Sequence, residues 1–129
     1  MIAHSVAAAW VAGLSATLAR LPVSIRMTRT ADDAFVLATD GGLHLGVVDH
    51  GLPAEGGLAF VRRLRGVGLT LPCLLVCEDP NPGVLRDALG LEVYSVLQAD
   101  GCGSAVANLV TKIGSQVYGM TWPDAENLN

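Results

Sequence analysis

The chain is short of charge, lacks a paired-cysteine motif and has no apolar run long enough to cross a bilayer. Charged residues are 16% of 129, and a formal charge of −4 gives no electrostatic reason to expect a nucleic-acid partner. Arg62, Arg63 and Arg65 cluster on one predicted helix face and are read as a solvated face rather than a phosphate-binding patch. The three cysteines, Cys73, Cys77 and Cys102, contain no Cys-x-x-Cys. Their odd number and apolar surroundings suit buried thiols in a reducing compartment, and a zinc site would need a fourth ligand and other spacing. His4, His44 and His50 show no metal-ligand spacing either. The stretch from Ser5 to Ala19 is apolar and Ala-rich, but no Lys or Arg precedes it, and Ser15 and Thr17 interrupt it. It also falls short of the roughly 20 apolar residues that span a membrane. A cytoplasmic chain without membrane insertion is expected. No repeat, low-complexity stretch or linker divides it, so residues 1–129 are read as a single domain.

Hydrophobic residues are plentiful at 51%, enough to bury a core in a chain of this length. Val6, Trp10, Leu14 and Leu18 recur every four residues and predict a core-facing first helix. Val23 to Met27 alternates as a strand does. Thr30-Ala31-Asp32-Asp33 resembles a capping box and opens a helix that ends at Asp40-Gly41-Gly42. Leu43 to Val48 is a near-continuous apolar run closing on Asp49, the pattern of a strand buried on both faces. The alternation continues: a helix over Gly57 to Arg65 with Leu58, Val61 and Leu64 inward, a buried strand from Leu71 to Val76, and a helix opened by Asn81-Pro82. A strand over Val93 to Leu97 follows, then a helix capped by Ser104, then an extended segment from Gln116 to Trp122. Strands separated by helices pair in parallel, which predicts an α/β doubly wound sandwich with its functional groups at the carboxyl ends of the strands. Those residues are Asp49, Cys77 and Gln98.

The series Val47-Val48-Asp49-His50-Gly51-Leu52-Pro53, then Gly57-Leu58, Arg62-Arg63-Leu64 and Leu71-Pro72-Cys73-Leu74-Leu75-Val76 resembles the middle of a response-regulator receiver (CheY-like) domain. The resemblance covers nearly the whole chain. It implies a five-stranded parallel sheet of flavodoxin-like architecture, with Asp49 in the position that accepts a phosphoryl group from a histidine kinase. Receivers hold Mg2+ with an acidic pair, and grip the phosphoryl oxygens with a hydroxyl ending the fourth strand and a lysine ending the fifth. Here those last two positions carry Cys77 and Gln98, and Ser95 stands at the usual switch-aromatic position. A thiol is a weak donor and an amide carries no charge, so the phosphorylation switch is read as lost.

A receiver also begins with a buried strand ending in the acidic pair, whereas this sequence reads as starting at the first helix. Segment 116–122 is therefore expected to supply the first strand, by circular permutation or by exchange between chains. A loose tail is the alternative. Under permutation Trp122 and Pro123 occupy the likely acidic-pair positions and Asp124 is the nearest acid, a poor magnesium site. His50 beside Asp49 faces the other way on an extended backbone, so no catalytic dyad is expected. Gly101-Cys102-Gly103 reads as a loop before the last helix, not a phosphate cradle. The function expected is a non-catalytic pseudo-receiver in bacterial signalling. It would bind protein partners such as a kinase or output protein, form a homodimer through the Trp10 helix and need no cofactor. The alternative is an atypical receiver phosphorylated on Asp49 with weakly held Mg2+. A small α/β enzyme or ligand-binding domain is a third reading.

Overall fold

Five short strands alternate with five helices in a computed structural model that describes residues 2–3, 9–52 and 55–120. In chain order these are β1 (Ile2–Ala3), α1 (Trp10–Leu18), β2 (Met27–Thr28), α2 (Ala31–Thr39), β3 (Gly46–Asp49), α3 (Gly57–Gly66), β4 (Cys73–Cys77), α4 (Pro82–Gly90), β5 (Ser95–Gln98) and α5 (Gly103–Gln116). All strand pairs are parallel, and the sheet order is β2-β1-β3-β4-β5. This is the expected five-stranded doubly wound fold.

The pleat sends successive side chains to opposite faces, so each buried strand feeds two cores. Ala3, Val48, Cys73, Leu75 and Cys77 meet α2, α3 and α4, around Phe60, Val61 and Leu64. Ile2, Val47, Leu74 and Val76 meet α1 and α5, around Leu14, Leu18, Val106 and Ile113. In α1 the buried stripe is Val11, Leu14 and Leu18, with Trp10 half-buried beside it, while Val6 lies outside the described residues. Leu58 is half-buried against the first core, and Phe60 rather than Leu58 is the large anchor of α3.

Two helix starts follow from local chemistry. Thr30 Oγ1 accepts the Asp33 N–H at 3.1 Å, and Asn81 Oδ1 accepts the Val84 N–H at 3.0 Å with Pro82 at the first helical position. Each bond satisfies an amide that the helix itself cannot pair. We expect Thr30→Ala and Asn81→Ala each to cost about 1 kcal/mol in urea unfolding, and the double variant to lose the sum because the caps sit on separate helices. Ser104 is not a cap: α5 starts one residue earlier, after Cys102, with no side-chain cap bond. The turn Asp100–Cys102, with Gly101 at positive φ, leads into the helix instead.

The central strand differs from the expectation. Ile2–Ala3 fills the first-strand slot, pairing with Met27–Thr28 on one side and Val47–Val48 on the other. Segment 116–122 does not supply it. Gln116 ends α5, Val117 and Tyr118 are exposed turn residues, and residues 121–122 lie outside the described residues. Two residues suffice at the centre of the sheet because each is shielded on both faces and flanked on both edges. Ile2 is 1% exposed and Ala3 not at all. β2 likewise falls later than Val23 to Met27, because only Met27 and Thr28 reach β1.

Candidate functional site

Asp49, Cys77 and Gln98 end three adjacent strands, and the register sets them in a row. Asp49 lies opposite Val76 and Cys77 lies opposite Gln98. Asp49 is 8% exposed and is the one charged residue in the buried set among the described residues. Its carboxylate is fixed by the chain just beyond it, as Oδ1 accepts the Gly51 N–H at 3.0 Å. The chain then folds back over the strand end. Leu52 N–H donates to the Asp49 carbonyl at 3.0 Å, and Gly57 N–H donates to the His50 carbonyl at 3.0 Å. This places the start of α3 directly on the Asp49 backbone. A Cβ at Gly57 would stand 2.5 Å from the Asp49 carbonyl oxygen and 2.9 Å from His50 Cα, so only glycine fits. The glycine that the resemblance puts at the helix opening thus has a steric cause in this chain.

Cys77 is 4% exposed, and its carbonyl accepts the Ala99 N–H at 3.0 Å. Gln98 is exposed at the end of β5, and Ser95 is half-buried at the start of the same strand, opposite Leu74. Trp122 and Asp124 lie outside the described residues. His50 donates its N–H to Val76 at 2.9 Å, while its ring Nδ1 is buried with no hydrogen-bond partner. Sequence reasoning missed that orphan, because burial of a ring nitrogen is decided by tertiary packing and leaves no mark on residue order.

The basic cluster is also more structural than expected. Arg63 pairs with Asp32 and Glu55, each at 2.9 Å, and lies over the Phe35 ring. The two carboxylates push its guanidinium, Asp32 foremost, above the usual arginine range. Arg65 donates to the carbonyls of Leu69, Leu71, Leu91 and Glu92. The cysteines are all buried and unpaired, and burial pushes the Cys73 and Cys102 thiols up.

The donor set does not fit Mg2+. Among the described residues no group of three or more His, Cys, Asp and Glu side chains could hold a metal. The strand that would lead into an acidic pair is β1, and no Asp or Glu occurs in the sequence before Asp32. A hard divalent cation bound without substrate phosphates needs several oxygen ligands, and Asp49 offers one carboxylate.

No protein-family model matches the chain, and no curated protein matches it. Solved structures do match. The receiver domain of an HD-domain protein from Pseudomonas fluorescens Pf-5 superposes with TM-score 0.80 at 17% identity, over 92% of this chain and 96% of that one. A CheY-like receiver domain from Methanospirillum hungatei JF-1 gives 0.78 at 11% identity, over 92% and 96%. The receiver domain of the NarL response regulator from Mycobacterium tuberculosis gives 0.77 at 14% identity, over 89% and 94%. The chain therefore has the fold of the response-regulator receiver domains. At these identities the likeness speaks for architecture, and function must be argued from the site.

Proposed function

We propose that the chain is a pseudo-receiver: a non-catalytic, cytoplasmic interaction module of signal transduction whose phosphorylation switch is lost. The observation that carries this reading is the row of strand ends. Asp49 keeps the phosphoacceptor position, but its neighbours are a buried thiol at Cys77 and a neutral amide at Gln98, and no acid follows β1 before Asp32. A phosphorylated Asp49 would carry about −2 charge, and the neighbouring strand ends offer only the Cys77 thiol and the Gln98 amide to meet it. Ser95 in the switch position offers no aromatic ring to swing between exposed and buried rotamers. No helix among the described residues is long and apolar enough to cross a membrane, which accords with a cytoplasmic setting.

The test is titration of the 15N-labelled chain with Mg2+ and beryllofluoride. Amide shifts around Asp49, Cys77 and Gln98 are expected to stay put. Saturable shifts reaching all three would replace this reading with the second one, a phosphorylatable atypical receiver. That reading draws on a specific observation, since Asp49 is preserved at the strand end with Gly51 orienting its carboxylate.

A module of this kind works through its faces. Leu85 and Leu89, one turn apart on α4, are 48% and 79% exposed, and Tyr94 ahead of β5 is 38% exposed. Trp10 is half-buried and adds little free apolar surface, so a protein partner or second copy is better served by α4 than by α1. A kinase or output protein is the partner class proposed. Sedimentation equilibrium is expected to show a dimer at micromolar concentration that Leu89→Glu converts to monomer. A wild-type monomer throughout that range counts against self-association.

A further inference from the structure

The strand order makes β2 and β5 the outermost strands of the sheet. At β2 an open main-chain edge coincides with charge of a single sign. Ile2 N–H donates to the Arg26 carbonyl at 2.7 Å, and Ile2 stands opposite Met27 in the parallel register. This sets the parity of the edge. Arg26 and Thr28 turn their backbone groups toward β1, so Met27 turns its N–H and C=O outward, and Ile25 does the same two residues earlier. No turn or loop hydrogen bond engages the backbone of Ile25 or Met27 among the described residues. Met27 is 48% exposed, so solvent reaches this edge.

Arg26 and Arg29 bracket Met27–Thr28, and Arg20 lies ahead of them just past α1; all three are exposed. Residues 20–29 hold no acid. The salt bridges among the described residues belong to Arg63, so none engages these three guanidiniums. On a chain with a formal charge of −4, the β2 edge is therefore a local basic strip. Such charge opposes pairing with a second copy, because two antiparallel β2 edges would set Arg26 and Arg29 of one chain beside those of the other. The same charge admits a strand of opposite sign. A nucleic-acid backbone fits less well, since its phosphates only accept hydrogen bonds and the outward Met27 carbonyl needs a donor.

We propose that the outer edge of β2 takes one extended acidic segment of a partner protein, which adds a strand to the sheet beside Met27. Main-chain pairing supplies affinity, and acids on either side of the paired residues meet Arg26 and Arg29 for selectivity. β2 and β5 lie at opposite edges of the sheet, so this surface is separate from Gln98 and from the α4 face. It does not rest on the loss of the phosphorylation switch.

The probe is the acetylated, amidated hexapeptide Thr-Glu-Thr-Val-Glu-Thr, titrated into the 15N-labelled full chain. Saturable amide shifts are expected from Ile25 to Arg29, with hydrogen exchange at Met27 slowed about tenfold at saturation. The same peptide N-methylated at its central threonine and valine keeps both acids but cannot pair, and should bind about tenfold more weakly. The double variant Arg26→Glu, Arg29→Glu should lose the glutamate peptide and take its lysine counterpart instead. Both side chains are exposed, so this variant is expected to fold, which its melting curve checks. The proposal is overturned by undiminished binding of the N-methylated peptide, which would mean charge attraction alone. It is equally overturned if the parent peptide gives no saturable shift, or if an oligothymidylate shifts these residues and the peptide does not. None of these results bears on the beryllofluoride titration, so the two readings fail separately.

Discussion

Phe60→Ala is expected to cost about 3–5 kcal/mol, the largest single effect in the chain. Phe60 is fully buried at the centre of the core formed by α2, α3 and α4 against the sheet, with Val48, Leu64 and Leu75 in the same cluster. With aromatics only 5% of the sequence, no other described phenyl or indole ring is fully buried to take up the lost volume. Alanine would remove most of the ring's transfer free energy and leave a cavity that the rigid strands cannot close. Against a total stability of about 5–15 kcal/mol, this brings the domain close to its unfolding threshold at room temperature. Urea denaturation followed by far-ultraviolet circular dichroism checks it. The midpoint should fall sharply while the slope stays constant. Phe60→Leu keeps much of the volume and should recover most of the loss. A Phe60→Ala midpoint within experimental error of wild type would show that the α3 face is not packed as described.

Arg65→Met is the second large effect, expected at about 2–3 kcal/mol, because charge-assisted bonds to carbonyls contribute more than neutral ones. One guanidinium joins three segments. Its Nη1 donates to Leu69 at 2.8 Å and to Leu71 at 3.0 Å, and its Nε donates to Leu91 at 3.0 Å. These carbonyls belong to the α3–β4 and α4–β5 connections, neither of which has a helix or strand partner for them. Methionine preserves the aliphatic stem and removes the donors, so the loss measures the bonds. Arg65→Lys should recover less than half of it, since an ammonium on a flexible stem lacks the planar fork that reaches several acceptors at once. Full recovery by lysine would mean that charge alone matters here. Hydrogen exchange should speed up locally at Leu91 to Val93 in both variants before any global change, as the loop loses its tether.

The parts of this protein legible in its sequence are those set by neighbours along the chain. Thr30 and Asn81 cap helices because their side chains reach amides three residues away. Gly46–Asp49 and Cys73–Cys77 read as doubly buried strands because unbroken apolar runs have no other place in a sheet covered on both sides. The occupants of the strand ends follow from the same runs, so Asp49, Cys77 and Gln98 could be placed together without coordinates. Tertiary structure decided the rest. Ile2–Ala3 is too short to show any period, and it is a strand only because Met27–Thr28 and Val47–Val48 flank it. Val117 and Tyr118 have strand-forming side chains, yet with the slot above already taken they end as exposed turn residues beyond α5. Arg65 looked like one of a solvated triplet because its acceptors at Leu91 and Glu92 lie 26 and 27 residues along the chain.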